Sequence, residues 1–291
     1  MTLDLFLLQT FTGLALGSIL VLMAIGMSLI FGMLTVPNFA HGAFYMVGAF
    51  AGVVALRLTD SFIAAIIAAP LAVGALGMLV ERTLVRPLYG RDVDYPIVLT
   101  FGLSYVMVEV IRILFGKEGI PFETPEFLQG AVSLGFGYFP LYRVFLIGVC
   151  VVVVGALYLC LERTKFGLVV RAGAADPEIV RVLGVDIRKV WMLIFGLGAG
   201  LAALAGLLAA PMRGVTAEMG IPVLVEAFVV TVVGGMGSLV GASVAGLLVG
   251  VVMSLTSLFS PKFAELSMFA LMALTLIVRP RGLFGRPGHL G

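Results

Sequence analysis

Long apolar runs separated by short polar segments dominate the chain. A run of about twenty apolar residues can cross a hydrocarbon core about 30 Å thick. Such runs occupy residues 5–36, 43–58, 62–80, 95–115, 141–161, 190–212, 223–233, 239–259 and 263–278. Because 43–58 and 223–233 are short, the pattern predicts an all-α polytopic membrane protein with eight or nine transmembrane crossings.

The composition indicates that lipid, rather than water, surrounds most of the chain. Of the 291 residues, 61% are hydrophobic and 12% are charged, whereas a soluble domain carries about 25% charged residues. The net charge of +2 is too small to indicate nucleic-acid binding. Cys150 and Cys160 lie ten residues apart in one apolar run, which predicts two buried hydrophobic side chains and no disulfide between them.

Lysine and arginine fall into two sets at alternating ends of the predicted spans. Twelve of the 18 cations lie in segments 81–94 and 161–189 and in the tail after residue 278. Short loops rich in Lys and Arg stay cytoplasmic, so the C-terminus is predicted inside and, with an odd number of crossings, the N-terminus outside. The largest outside loop, about 116–140, carries Glu118, Glu123 and Glu126. It is either a plain connector or a docking surface for a soluble partner.

A first polar interruption follows the first apolar run. It begins at Pro37 and continues through Asn38, His41, Gly42 and Tyr45. Irregular backbone at membrane depth is tolerated only where protein or a water-filled cavity satisfies its polar groups. The pattern therefore favours a substrate-pathway role for this stretch over plain helix packing, although His41 alone would equally suit the cap of a half-helix.

A second interruption, at residues 233–242, includes Gly235 and Ser238. Interrupted segments in both halves of a chain indicate a transport pathway, but glycines spaced four apart also serve helix packing, so both interpretations stay open here. Glu226 lies in the short run 223–233 and is a pathway candidate because ionisable residues inside a membrane are commonly functional. Glu109 and Arg112 are spaced to pair on one helix face.

A short capped helix is predicted in the cation-rich segment 163–189. Asp176 is placed as its N-cap, Pro177 as its first residue and Gly184 at its end, while Glu178 suits the positive helix start. Two turns are not stable alone, and Leu183 needs cover, so docking into a partner's groove is favoured over a helix lying on the bilayer. The candidates for contact with a partner are Arg171, Asp176, Pro177, Glu178, Arg181, Leu183 and Gly184.

Motifs of catalysis and nucleotide binding are missing from the sequence. It contains no G-x-x-x-x-G-K-[ST] loop, no H-E-x-x-H motif and no Cys/His cluster. No metal or cofactor is therefore predicted in this chain, and it is not predicted to be an enzyme. An ion-coupled carrier needs an intramembrane ion site, and a membrane enzyme needs a nucleophile–base or metal constellation; the sequence shows neither.

Four stretches carry a family pattern: N-F-A-H-G at 38–42, the segment 171–185, G-G-M-G-S at 234–238 and R-P-R-G-L-F-G at 279–285. Together they resemble the LivH-type permease subunits of branched-chain amino-acid ABC importers, and the resemblance covers essentially the whole chain. It implies a single transmembrane permease domain over residues 1–291, with two discontinuous helices and an inverted internal repeat.

The resemblance also implies partners and a location. These are a second, homologous permease, two cytoplasmic ATPase subunits that bind ATP and Mg, and a periplasmic substrate-binding protein, all at a bacterial inner membrane with the N-terminus periplasmic. The implied substrate is a branched-chain amino acid. Urea, short amides and aromatic carboxylates remain alternatives within the wider family.

Overall fold

The computed structural model describes residues 3–34, 37–135 and 137–285. Its helices are α1 Leu3–Leu34, α2 His41–Thr59, α3 Phe62–Val80, α4 Asp94–Phe115, α5 Leu141–Arg163, α6 Lys165–Ala175, α7 Pro177–Val182, α8 Ile187–Arg213, α9 Gly220–Gly234, α10 Leu239–Phe259 and α11 Ala264–Val278. Within these residues, eight helical segments are long and apolar enough to cross a membrane, and α9 is a shorter apolar helix. The predicted polytopic all-α membrane protein is confirmed.

Small elements complete the connections. A π-helical turn, Glu81–Val85, and a 3-10 turn, Arg86–Leu88, extend α3. The loop 116–140 contains a 3-10 turn, Glu126–Leu128, and an antiparallel hairpin of β1 Ala131–Ser133 and β2 Tyr138–Pro140. A 3-10 turn, Pro261–Phe263, precedes α11. The predicted outside loop is therefore partly ordered.

Contacts between helix ends sort the bundle into two faces. At the inner face, where α3 ends and α8 begins, Arg86 donates to the carbonyl of Arg188 at 3.3 Å. At the outer face, where α1 begins and α10 ends, Gln9 donates to the carbonyl of Ser254 at 2.8 Å. Segments 81–94 and 161–189 meet at one face through the Arg86–Arg188 bond, and Arg171 and Arg281 line one cavity there. We name this face inner after the prediction from the cations; its side of the membrane stays a prediction.

Reciprocal contacts relate the two halves of the bundle. The contact between α1 and α10 has a counterpart between α8 and α3. Likewise, the contact between α2 and α8 has a counterpart between α9 and α1. A Cβ on Gly26 would lie 2.7 Å from the carbonyl oxygen of Gly198, and the reverse distance is also 2.7 Å. Gly42 and Gly220 meet in the same reciprocal way. Because α1 and α8 run in opposite directions, α1–α4 and α8–α11 form the inverted repeat that the resemblance implied.

Both predicted interruptions are present. Helix α2 begins inside the bundle, since the His41 ring lies 3.0 Å from the carbonyl oxygen of Met23, eleven residues before the end of α1. Helix α9 begins at the contact between Gly220 and Gly42, and a second break separates it from α10. Residues 35 and 36, predicted as the end of the first apolar run, lie outside the described residues.

Candidate functional site

The first break is shaped by Asn38. Its Oδ1 accepts a hydrogen bond from the backbone of Ala40, and its carbonyl accepts one from the backbone of His41, both at 3.1 Å. The backbone N–H of Phe39 donates to the hydroxyl of Thr100 in α4 at 3.2 Å. The side chain of Asn38 and helix α4 therefore hold the entry to α2 in place.

His41 joins α2 to α1. The side chain is fully buried, and its Nε2 lies 3.0 Å from the Met23 carbonyl oxygen. Because a carbonyl can only accept, Nε2 carries the proton. A Cβ on Gly26 would lie 3.0 Å from the ring, so glycine at that position makes room for the imidazole.

Four buried polar atoms on α1, on α2 and in the break between them have no hydrogen-bond partner among the described residues. They are Ser28 Oγ, Asn38 Nδ2, His41 Nδ1 and Tyr45 Oη. Buried polar groups are almost always paired, with ordered water where the protein supplies no partner. This part of the bundle therefore has unused hydrogen-bonding capacity for water or a polar solute.

Glu226 is a buried carboxylate with an ion-pair partner. Its Oε2 lies 3.4 Å from Nη2 of Arg213, the last residue of α8, and its side chain is 8% exposed. Helix α9, which carries Glu226, packs on α2, the helix of Tyr45. Pairing compensates a charge that would otherwise be costly to bury. Glu226 therefore lies on a helix that contacts α2, which carries the predicted pathway residues His41, Gly42 and Tyr45.

The second break is a joint between α9, α10 and the C-terminal segment. Gly235 ends α9 at φ +98°, a conformation that favours glycine. Ser238 caps α10 by accepting from the backbone of Gly241 at 3.0 Å. Leu283 donates to the carbonyl of Val233 at 2.8 Å. The structure places Gly235 and Ser238 in this joint, so the predicted pathway residues divide between two places.

A cavity of about 350 Å³ opens beside this joint. It is bounded by α1, α5, α6, the start of α10 and the C-terminal segment. Ser238 and Arg171 both line it. A predicted pathway residue and a predicted coupling residue therefore share one space at the inner face.

The short helix predicted in 163–189 is present as α7, with the predicted start. Oδ1 of Asp176 accepts from the backbones of Glu178 at 2.9 Å and Ile179 at 3.0 Å. Pro177 is the first helical residue. A separate helix, α6, precedes it; the sequence analysis did not predict α6.

The predicted end of α7 is present too. Gly184 has φ +83° and donates to the carbonyl of Arg181 at 3.0 Å, while Val185 donates to the carbonyl of Val180 at 3.3 Å. This pair of bonds is the Schellman C-cap, in which the residue at Gly184 must adopt positive φ. The helix is therefore closed at both ends by its own sequence.

Helix α7 has one buried and one exposed apolar side. Val180 is buried in a cluster with Ile187 and with residues of α1, α5, α6 and α8. Ile179, Val182 and Leu183 are 59%, 87% and 75% exposed. Three exposed apolar side chains on one short helix form a patch suited to a partner.

The two arginines of the coupling set have different surroundings. Arg171 lies 3.3 Å from the carboxylate of Glu162 and also contacts the carbonyl of Leu161, so it ties α6 to α5. Arg181 has no ion pair with any described carboxylate. Of the two, Arg181 is the one free to meet a charge from outside the chain.

A buried carboxylate at the inner end of α3 was missed by the sequence analysis. Glu81 is fully buried, and its carboxylate accepts from Arg86 at 3.2 and 2.7 Å and from the hydroxyl of Tyr89 at 2.6 Å. Burial and then the bond to Glu81 raise the pKa of Tyr89 above its usual range. Spacings of five and eight residues are not the i, i+3 and i, i+4 spacings at which helix side chains meet, so periodicity carried no signal for this group.

The outer face carries an ion-pair group that was predicted only in part. Arg112 pairs with Glu109, as the spacing predicted, and also with Glu218 at 2.5 Å. The Arg112 guanidinium lowers the pKa of the Glu218 carboxyl. Ile120 and Val215 exchange backbone bonds of 2.8 and 3.1 Å beside it. Together these contacts anchor the segment that leads into α9.

Comparison with known proteins identifies the family. Residues 9–279 match the profile described as branched-chain amino acid transport system / permease component. The chain belongs to this family. The high-affinity branched-chain amino acid permease protein BraD of Pseudomonas aeruginosa is 31% identical over 97% of this chain and 96% of its own length. LivH of Escherichia coli K12 is 29% identical over the same shares of the two chains.

A further permease of this system is also similar. LivM of Escherichia coli K12 is 27% identical over 91% of this chain and 67% of its own length. No solved structure matches the chain significantly. As a permease component with eight candidate spans among the described residues, the chain is a multi-pass membrane protein and a transport subunit.

Proposed function

We propose that this permease component forms the translocation pathway of an ATP-binding-cassette importer for branched-chain amino acids. The observation that carries the proposal is α7, a capped inner-face helix whose Ile179, Val182 and Leu183 are exposed. The sequence has no phosphate-binding loop, so energy for uphill transport comes from another subunit. The substrate class follows from BraD and LivH, whose names specify branched-chain amino acids.

Two cytoplasmic ATPase subunits drive this importer, and ATP and Mg bind there; this chain holds no cofactor. Helix α7 docks in an ATPase groove through Leu183 and its exposed neighbours, within the coupling segment 163–189. Val180 packs against Ile187 at the start of α8, so displacement of α7 is passed to a membrane-spanning helix. Arg181 is placed to pair with an acid of the ATPase.

The other partners are a second, homologous permease and a periplasmic binding protein. The similarity to LivM supports a two-permease system. The positive-inside rule makes the inner face cytoplasmic and puts the N-terminus in the periplasm of a bacterial inner membrane. The binding protein docks on the loop 116–140, where Glu123 and Glu126 are exposed.

The pathway uses the first break. Asn38, His41 and Tyr45 carry the unpartnered polar atoms there, and Gly42 permits the close approach of α9. A change in the angle between α2 and α9 would expose these atoms to a zwitterionic solute. Glu226 sets the charge beside Tyr45, and the joint at Gly235 and Ser238 borders the exit on the inner side.

Uptake by a reconstituted complex tests the proposal. The chain, its partner permease, the ATPases and the binding protein are placed in proteoliposomes, and radiolabelled leucine, urea and benzoate are compared. We expect ATP-dependent uptake of leucine. Uptake of urea or benzoate alone would overturn the substrate class but not the importer. Uptake driven by an ion gradient without ATP would overturn the importer in favour of a secondary carrier.

A further inference from the structure

One carboxylate joins three parts of the inner face. Arg86 Nη2 donates both to Glu81 at 2.7 Å and to the carbonyl of Arg188 at 3.3 Å. The ring of Tyr89, also bonded to Glu81, meets Trp191 edge to face with centroids 4.8 Å apart. Glu81 follows the last residue of α3, Arg86 and Tyr89 lie in the loop to α4, and Arg188 and Trp191 lie in the first turns of α8. We call this group the Glu81 network.

The Glu81 network adjoins the coupling helix. Ile187 and Val190, in the same turns of α8, are buried with Val180 of α7, and Trp191 packs against this cluster. Further along, a Cβ on Gly74 of α3 would lie 3.1 Å from a backbone oxygen of α8. A continuous set of contacts thus runs from α7 through the start of α8 to the Glu81 network and α3.

The chemistry of the Glu81 network resists separation. A fully buried carboxylate is costly without hydrogen-bond donors, and Arg86 fits it with two parallel bonds. Pulling the start of α8 away from α3 would strip Arg86 from the Arg188 carbonyl or from Glu81. Apolar packing between the same helices could slide without losing such bonds.

We propose that Glu81 is a positioning residue for energy coupling, which makes α3 and the start of α8 move as one unit when the ATPase displaces α7. This inference rests on the proposed function. It adds a site that lies outside the coupling segment and touches neither ATPase nor substrate. A purely stabilising role would change the yield and melting temperature of the complex and leave the ATP used per substrate unchanged.

The first test measures ATP hydrolysed per leucine imported by assembled complexes. Glu81→Gln keeps the size of the side chain and removes its charge. We expect the ratio to rise about 2- to 30-fold, the range of coupling changes seen for residues that touch neither ligand. Glu265→Gln, at an exposed position in the first turn of α11, is the matched control and keeps the wild-type ratio. Tyr89→Phe removes one bond and raises the ratio less.

A double variant covers the case in which Glu81→Gln does not assemble, since it leaves Arg86 unpaired. Glu81→Met with Arg86→Met replaces both charges by apolar groups, a change that proteins tolerate well. This complex assembles and still shows the raised ratio. A wild-type ratio in assembled complexes of the double variant would overturn the proposal.

The second test measures the motion directly. Spin labels at Leu79→Cys in α3 and Lys189→Cys in α8, with Cys150 and Cys160 changed to alanine, report the distance between the two helices. We expect the same distance in nucleotide-free and ATP-trapped complexes, and a shift between these states when Glu81→Gln is added. No shift in that variant would overturn the proposal. If Leu183→Asp also keeps the wild-type ratio, the proposed coupling role of α7 fails instead.

Discussion

The two helix breaks differ in how their polar groups are satisfied. At the first, Asn38 and His41 each leave a buried nitrogen without a partner among the described residues. At the second, the backbones of Leu283 and Phe284 donate to the last carbonyls of α9 at 2.8 and 3.0 Å. The C-terminal segment therefore closes the second break, whereas the first retains capacity for a solute or water.

The inverted repeat supplies a second comparison, between the first break and the segment that leads into α9. Gly42 and Gly220 occupy equivalent places, so His41 corresponds to Met219 and Asn38 to Thr216. The backbone arrangement is shared by the two halves, while histidine and asparagine occur in one half alone. The close glycine contacts common to both halves are needed to build the bundle. The polar side chains of Asn38 and His41, found at this place in one half alone, point to a role in transport.

Disrupting the close contact between Gly42 and Gly220 has the largest expected effect, on folding of the complex. In Gly42→Val, the new Cβ would overlap the carbonyl oxygen of Gly220, and overpacking of this kind costs about 1–3 kcal/mol or more. We expect a loss of folded complex, measured as yield in detergent and melting temperature. Gly102→Val is the control, since a Cβ there meets nothing within 4 Å. Equal yields and melting temperatures for the two variants would contradict this interpretation.

Replacing the polar side chains of the first break has the second-largest expected effect, on uptake. His41→Leu loses the bond to Met23, and Asn38→Leu loses the turn that starts α2. We expect uptake to fall about tenfold in assembled complexes, a factor that corresponds to one lost hydrogen bond of about 1.4 kcal/mol. The measurement is initial uptake per assembled complex.

A helix cap outside both breaks supplies the control for that experiment. Ser61→Ala removes the cap of α3, which costs about 1 kcal/mol of stability. Uptake per assembled complex should stay within about twofold of wild type, a smaller change than the loss of one hydrogen bond produces. If Asn38→Leu and His41→Leu both assembled and transported at the wild-type rate, the first break would have only a structural role.

Local signals predicted much of this architecture. Pro37 and Asn38 interrupt a helix because of their own backbone chemistry, and Asp176, Pro177 and Gly184 carry the start and stop of α7 within nine residues. Each signal needs only neighbours in sequence, so it could be interpreted without the fold. The same holds for the span pattern and for the distribution of cations.

Contacts between distant elements could not be predicted in this way. The partner of Glu226 lies at the end of α8, and Arg112 pairs with Glu218, which is 106 positions away in the sequence. Glu81 was hidden because its partners follow a π-helical turn rather than a regular helix face. The sequence showed Gly26, Gly42, Gly198 and Gly220 only as small residues. Their reciprocal contacts depend on how the two halves pack in the fold.

The outer face offers the smallest expected effect. Its loop exposes Glu123 and Glu126, whereas the inner face exposes the apolar patch of α7. Glu123→Lys with Glu126→Lys should weaken docking of the binding protein about 2- to 10-fold at low salt, as exposed ion pairs are individually weak. The effect should shrink at high salt because exposed charges are screened. Unchanged affinity at low ionic strength would count against this docking surface.

The central claim is that α7 delivers energy from the ATPase subunits to this chain. Simultaneous measurement of ATP hydrolysis and leucine uptake in one set of proteoliposomes tests it most directly. Leu183→Asp puts a charge into an apolar groove, and Gly184→Val puts a β-branched residue at φ +83°. The account predicts that either variant uncouples hydrolysis from uptake, so that uptake falls below what the remaining hydrolysis should drive. Normal, substrate-stimulated hydrolysis together with normal uptake in either variant would contradict it and return α7 to a helix that lies on the membrane surface.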